Sequence, residues 1–185
     1  MHAAENIEVD LIIRLRAGDR KALATLYERH KAGLYRYCLR LLKDDADAED
    51  AVHATFLNVL QGAESLDRVG AFQAWLYRIA RNEALMILRR ARRASGGDLD
   101  QLVDEETPLK LLIARNREEA VQRALEELRV EYREVLVLRE FEGLSYAEIA
   151  QVTDMTVDSV RSRIFKARKA LSGRLETWLK ERNVP

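Results

Sequence analysis

A chain of 185 residues has room for one medium domain or two small ones, and 48% hydrophobic with 34% charged residues is the make-up of a packed, helix-rich protein rather than a disordered one. No stretch reaches the ~18–20 apolar residues that span a bilayer, the acidic N-terminus lacks the basic start and apolar run of a signal peptide, and a single cysteine, Cys38, leaves no disulfide framework. A cytoplasmic location is expected. The formal net charge is zero, yet the charge is segregated: "YRIARNEALMILRRARR" (77–93) carries one acid, "SGGDLDQLVDEETP" (95–108) has acids and no base, and "SVRSRIFKARKALSGR" (159–174) has bases and no acid.

Apolar residues recur at helical spacing along most of the chain, and no period-two run interrupts them. The pattern predicts a first helix over "EVDLIIRLRAG", ending near Gly18, and a second from an N-capping Asp19 to Leu42. A third starts in "DDADAED", where acids favour the positive end of the helix dipole, and is expected to bury Val52, Phe56, Val59 and Leu60. A fourth, from about Gly70 to Arg93, is expected to bury Phe72, Leu76, Ile79 and Ile87. "SGG", the acids and Pro108 then break the periodicity over 95–108, the one good linker. Two further helices follow, "KLLIARNREEAVQRALEEL" and "EYREVLVLREFEG", the latter stopped by Gly143. The expected fold class is all-α, as two small helical domains.

Ser145 and Glu148 have capping-box spacing, so a helix should start at Tyr146. It runs to about Val152, "TDM" supplies a turn in which Asp154 tolerates unusual backbone angles, and Thr156 caps the next helix. From Val157 onward, Val157, Val160, Ile164, Ala167 and Leu171 form one apolar stripe; Asp158, Ser159, Ser162, Lys166 and Lys169 face away, with Arg161, Arg163 and Arg168 on the flanks. A short helix, a tight turn and a basic second helix follow the helix-turn-helix plan, whose second helix enters the major groove; an ordinary helical hairpin with a solvated basic face has the same pattern. Residues 70–93 interleave Phe72, Trp75 and Tyr77 with Arg78, Arg81, Asn82, Arg89 and Arg90, which suits unstacked single-stranded bases. Phe72 also lies on the apolar stripe, and Trp75 fits either core or stacking platform.

Taken together, "LYERHKAGLYRYCLRLLKDDADAEDAVHATFLNVL", "AFQAWLYRIARNEALMILRR" and "YREVLVLREFEGLSYAEIAQVTDMTVDSVRSRIFKARKAL" resemble the extracytoplasmic-function group of the sigma-70 superfamily, over roughly residues 10–175. The resemblance implies a sigma-2 domain over 1–94, an acidic linker over 95–114 and a sigma-4 domain over 115–185. It implies docking on core RNA polymerase through Asp47, Glu49, Asp50, Phe56 and Leu57, with Phe56 protruding. It places −10 element contacts at Trp75, Arg78, Asn82, Arg89 and Arg90. The −35 element would be read as duplex through Thr156, Ser159, Arg161, Ser162, Arg163, Lys166 and Lys169. Promoter DNA and an anti-sigma factor, typically membrane-bound, are the further partners it implies. The chain departs from the family pattern at His53, Ala54, Glu83, Met86 and in "VTDMTVDSV".

The three histidines, His2, His30 and His53, are too scattered to propose a metal, Cys38 lies on an apolar helix face, and no phosphate-binding glycine loop occurs. No enzyme, cofactor or small-molecule substrate is expected. A dimeric helix-turn-helix regulator would leave the 70–93 face unused. A decoy that binds polymerase without reading DNA would also fit the altered positions.

Overall fold

The computed structural model describes residues 2–66, 69–95 and 117–182. They form eight α-helices: α1 (His2–Arg16), α2 (Arg20–Leu42), α3 (Asp45–Gly62), α4 (Phe72–Ser95), α5 (Arg117–Glu126), α6 (Val130–Leu136), α7 (Tyr146–Thr153) and α8 (Val157–Arg182). Two 3₁₀ turns, Ala63–Ser65 and Val69–Ala71, lead into α4, and a π turn, Val137–Phe141, extends α6. The expected acidic linker beyond Ser95 and the start of the helix drawn from residue 110 lie outside the described residues.

Local chemistry sets the helix ends. Gly18 takes a positive φ of 85° after α1, and the Asp19 side chain then accepts from the Lys21 backbone N–H at 2.8 Å to open α2. Lys43 closes α2 in the left-handed conformation, its N–H donating to the Leu39 carbonyl at 2.8 Å. One residue later Asp44 caps α3 through the Asp47 N–H at 2.9 Å.

In the first unit α2 packs against both α3 and α4. Leu34, Tyr37, Cys38 and Leu41 of α2 meet Val52, Phe56 and Val59 of α3 and Phe72, Leu76 and Ala80 of α4, all buried. Burying each large apolar side chain contributes about 1.5–3 kcal/mol. Cys38 is a core residue, as expected, and burial pushes its thiol up to about 12. Ile79 and Ile87 are only half-buried. Leu60, expected inside, is 42% exposed, because it lies two residues from the end of α3, one turn beyond the exposed Leu57 on the outward side of that helix.

The second unit gathers α5 to α8. Val135, Leu136 and Leu138 pack with Ile149, Val152, Val160, Ile164 and Ala167. The capping box is complete: the Ser145 hydroxyl accepts from the Glu148 N–H at 3.2 Å, and the Glu148 carboxylate accepts from the Ser145 N–H at 2.7 Å. Val157, expected to begin the apolar stripe, is 40% exposed at the first turn of α8, so the buried stripe starts at Val160. The two units are in contact. α4 lies along α7, and α2 touches α6 and the π turn.

Two outcomes test this account. Ser145→Ala removes one half of the box and should lower stability by about 1 kcal/mol in urea denaturation. His30 is largely buried, edge-on to Phe72 at 5.6 Å; burial, reinforced by Arg29 and only partly opposed by Glu8, holds its imidazole below 6.5. The unfolded chain therefore binds the extra proton first, and the stability His30 confers is present above about pH 6.5 and lost as pH falls below it. Thermal melts between about pH 7.5 and 5.5 should show a steeper acid-side loss for the native chain than for His30→Gln.

Candidate nucleic-acid interface

Three solvent-facing surfaces emerge from the helices, each the reverse of a buried stripe. On α3, burial of Ala48, Ala51, Val52, Thr55 and Val59 turns Glu49, Asp50, His53, Leu57 and Leu60 outward. Leu57 is 61% exposed and Leu60, one turn on, 42%, so the two leave apolar surface together at the end of this acidic side. Asp47 is partly covered beside the N-cap. Phe56 does not protrude: it is 6% exposed, with its ring edge-on to Tyr27 at 4.8 Å, so it holds the α3 face from beneath. Beside this face, α2 and α3 enclose a groove of about 400 Å³ lined by Tyr27, Lys31, Ala32, Tyr35, Glu49, Val52 and His53.

On α4, Phe72, Ala74, Leu76, Ala80 and Ala84 point inward. Arg78, Asn82, Arg89 and Arg90 are exposed, and the first three follow one another at helical spacing along one side. Trp75 is half-buried, its ring tilted against Phe72 at 6.1 Å, so one part of the indole packs on the core while the rest reaches solvent. Glu83, an acid amid bases, is satisfied by its neighbour: the Asn58 side-chain amide donates to it at 2.8 Å across the α3–α4 contact.

On α8 the exposed face depends on the turn before it. Asp154 takes the left-handed conformation with φ 58°, and the Met155 N–H bonds to the Ala150 carbonyl at 3.0 Å. No glycine is needed there because a short polar side chain tolerates that region. The Thr156 hydroxyl then accepts from the Ser159 N–H at 3.2 Å, starting α8. With Val160, Ile164 and Ala167 buried, Ser159, Arg161, Ser162, Lys166 and Lys169 are exposed together. Arg163 stands apart: it is half-buried, and its positive charge acts inward on Glu134. Arg161 pairs with Asp158 at 2.7 Å.

Phe165 was not among the expected contacts, yet it is 71% exposed on the same face as Ser162 and Lys166. The signal was available. Phe165 falls off the stripe set by Val160, Ile164 and Ala167, and a large aromatic off-stripe amid bases is better suited to a partner than to water.

The surfaces are thus an acidic one ending in exposed leucines, a helix side bearing arginines beside a half-buried indole, and a basic helix face carrying a phenylalanine. Among the described residues no cluster of three or more His, Cys, Asp or Glu is placed to hold a metal ion, and no helix is long and apolar enough to cross a membrane.

Comparison with known proteins places these surfaces in a family. The model of Sigma-70 region 2 matches residues 26–94, and that of Sigma-70, region 4, matches residues 118–171. RNA polymerase sigma-H factor of Pseudomonas aeruginosa is 32% identical, with 92% of this chain and 95% of that protein covered. The ECF RNA polymerase sigma-E factor of Escherichia coli K12 is 31% identical over the same shares. The solved structure of CnrH in complex with the cytosolic domain of CnrY has a TM-score of 0.71 at 27% identity, covering 92% of this chain and 97% of that one. The sigma factor RpoE of Bartonella quintana, solved with the anti-sigma factor NepR, shares the fold with a TM-score of 0.69 at 22% identity, covering 84% of this chain and 98% of that one. With both family regions matched and relatives above 30% identity along nearly their whole length, the chain belongs to the sigma-70 family, as a promoter-directing sigma factor of the extracytoplasmic-function group.

Proposed function

We propose a division of labour among the three surfaces of this sigma factor. The α3 face, with Asp47, Glu49, Asp50 and Leu57 and with Phe56 supporting it from below, docks on core RNA polymerase. The α4 side, with Arg78, Asn82, Arg89, Arg90 and the exposed part of Trp75, captures unpaired bases of the −10 element; stacking and cationic contacts help offset the free energy of unpairing. The α8 face reads the −35 element as duplex through Ser159, Arg161, Ser162, Lys166 and Lys169. Thr156 sets its start, and Arg163 lies at its inner edge. Phe165 joins that face as an apolar contact for a thymine methyl group in the major groove.

The observation that supports this reading best is the composition of the α8 face. Every side chain expected to meet DNA, Arg163 apart, is exposed on one side, while the opposite side is buried in the second unit. Alone, such a face binds weakly: five or six phosphate contacts lose orders of magnitude in affinity at physiological salt. Polymerase supplies what is missing by tethering both units at a set separation, which makes the second DNA contact effectively intramolecular. The chain itself then performs no catalysis and needs no cofactor, since polymerase carries out the nucleotide chemistry, and it works in the cytoplasm where polymerase is. An anti-sigma factor is its regulator in this reading, in keeping with the similarity to CnrH, solved with CnrY.

In-vitro transcription with purified core polymerase and genomic promoter fragments tests the proposal. Defined start sites should appear only when the chain is added. Palindromic gel shifts without polymerase, or co-purification with polymerase and no new transcripts, would each overturn it. Within the same assay, Phe165→Ala should weaken promoters with a thymine at the contacted position by about 1–3 kcal/mol, and Lys169→Ala should weaken all promoters alike and lower the salt slope by about one.

A further inference from the structure

We propose that Asp158 is a specificity-determining residue of the α8 face: its carboxylate, held by Arg161, accepts from the N4 amino group of one cytosine in the −35 element and rejects bases that present only acceptors there. This rests on the proposed role of α8 and adds a base that the helix selects.

The helix period places the residue. Asp158, Ser162, Phe165 and Lys169 follow one another at steps of four, three and four residues, so they form one row along α8. All four are exposed, and the row lies opposite the buried Val160, Ile164 and Ala167. Asp158 heads the row in the first turn of the helix, and the N-terminal residues of a recognition helix are the ones that reach base edges. A duplex seated on Ser162, Phe165 and Lys169 therefore meets this side chain, which is 88% exposed.

An acid there is out of keeping with its surroundings. Asp158 is the only acid between Val157 and Leu175, on a face that has to approach phosphates. It is not needed as a cap, because the Thr156 hydroxyl already accepts from the Ser159 N–H at 3.2 Å. The helix dipole favours an acid anywhere in the first turn, so it does not account for one in the middle of the exposed row. Among the described residues the partner of Asp158 is Arg161, whose Nη1 donates to Oδ1 at 2.7 Å. An exposed pair one turn apart adds little to stability. What it does is offset the carboxylate's charge against the phosphates and fix its direction, with Oδ2 left to accept from DNA.

The chemistry of the major groove then selects the base. Guanine presents only the acceptors N7 and O6, and thymine an acceptor and a methyl group, so a carboxylate facing either loses water and gains no hydrogen bond. Adenine sets an acceptor, N7, beside its amino group, whereas cytosine offers the N4 donor without one. Arg161 keeps N–H donors to spare after its bond to Asp158, and guanine O6 and N7 accept such donors. An acceptor beside donors is the complement of the edge of a C·G pair.

The test is in-vitro transcription by the full chain with core polymerase on a promoter library randomised over the −35 element, with the transcripts sequenced. The native chain should favour cytosine over guanine and thymine roughly tenfold or more at one position. Asp158→Asn should move that preference to adenine, whose N6 and N7 match a side-chain amide, and leave the other positions unchanged. Asp158→Ala should make the position indifferent. Arg161→Lys keeps the charge but not the planar fork, and should weaken the cytosine preference at the same position. The native base profile persisting in both Asp158 variants, or a uniform rise across all promoters, would overturn the proposal while leaving the −35 role of α8 intact. A native chain that initiates from the library with no preference at any −35 position would overturn both.

Discussion

Burial of one side of α2 against α3 and α4 decides what those two helices show to solvent. Because Val52, Val59 and Phe56 turn towards α2, Glu49, Asp50, His53 and Leu57 must turn away from it. Because Leu76, Ala80 and Ala84 turn the same way, Arg78, Asn82 and Arg89 are left on the outer side of α4. A helix has a fixed period, so a single packing decision places every other side chain on it. The outward sides of α3 and α4 are two consequences of one apolar contact, and a substitution in that contact reorients both.

The second unit sets its exposed basic face by a different route. The three helices before α8 are short, and α7 spans only eight residues, so propensity alone would not hold it. A complete capping box at one end and a left-handed aspartate at the other fix its length, and the threonine cap starts α8 at once. The angle between the two helices follows from these local bonds together with the packing of Val152 on Val160 and Ile164. Ion pairs from Arg168 to Glu140 at 2.6 Å and from Arg174 to Glu127 at 3.0 Å join α8 to its own unit. Both pairs are solvent-exposed, so they contribute little beyond orientation.

Most of this was legible from residue order because helices advertise a buried stripe and because caps are chemically specific. The all-α class, the Asp19, Ser145 and Thr156 caps and the exposed face of α8 all follow from local pattern. What local pattern does not carry is the length of the neighbour that covers a stripe, and this is why Leu60 and Val157 emerge at helix ends. Nor does it carry partners distant in the chain. Phe56 is buried by Tyr27, and Arg81 and Tyr77 are engaged by acids 53 and 65 residues further on. Read alone, those arginines and acids are ordinary solvated charges. Phe165 is the opposite case, legible from local pattern because it falls off the buried stripe of α8.

Gly33 lies inside α2 against the bonded pair Tyr77 and Glu142, where a Cβ would stand 3.1 Å from the tyrosine hydroxyl and 3.4 Å from the glutamate, and this has a historical consequence. Positions 33, 77 and 142 lie on three different elements, yet they share one small volume, so they are not free to drift independently. A lineage that gains a methyl group at 33 has to shift the tyrosine hydroxyl or the glutamate by a few tenths of an ångström, which favours a smaller side chain at 77 or 142. Homologues should therefore divide into two correlated sets at these three sites, a record of which descendants kept the two halves of the molecule folded together.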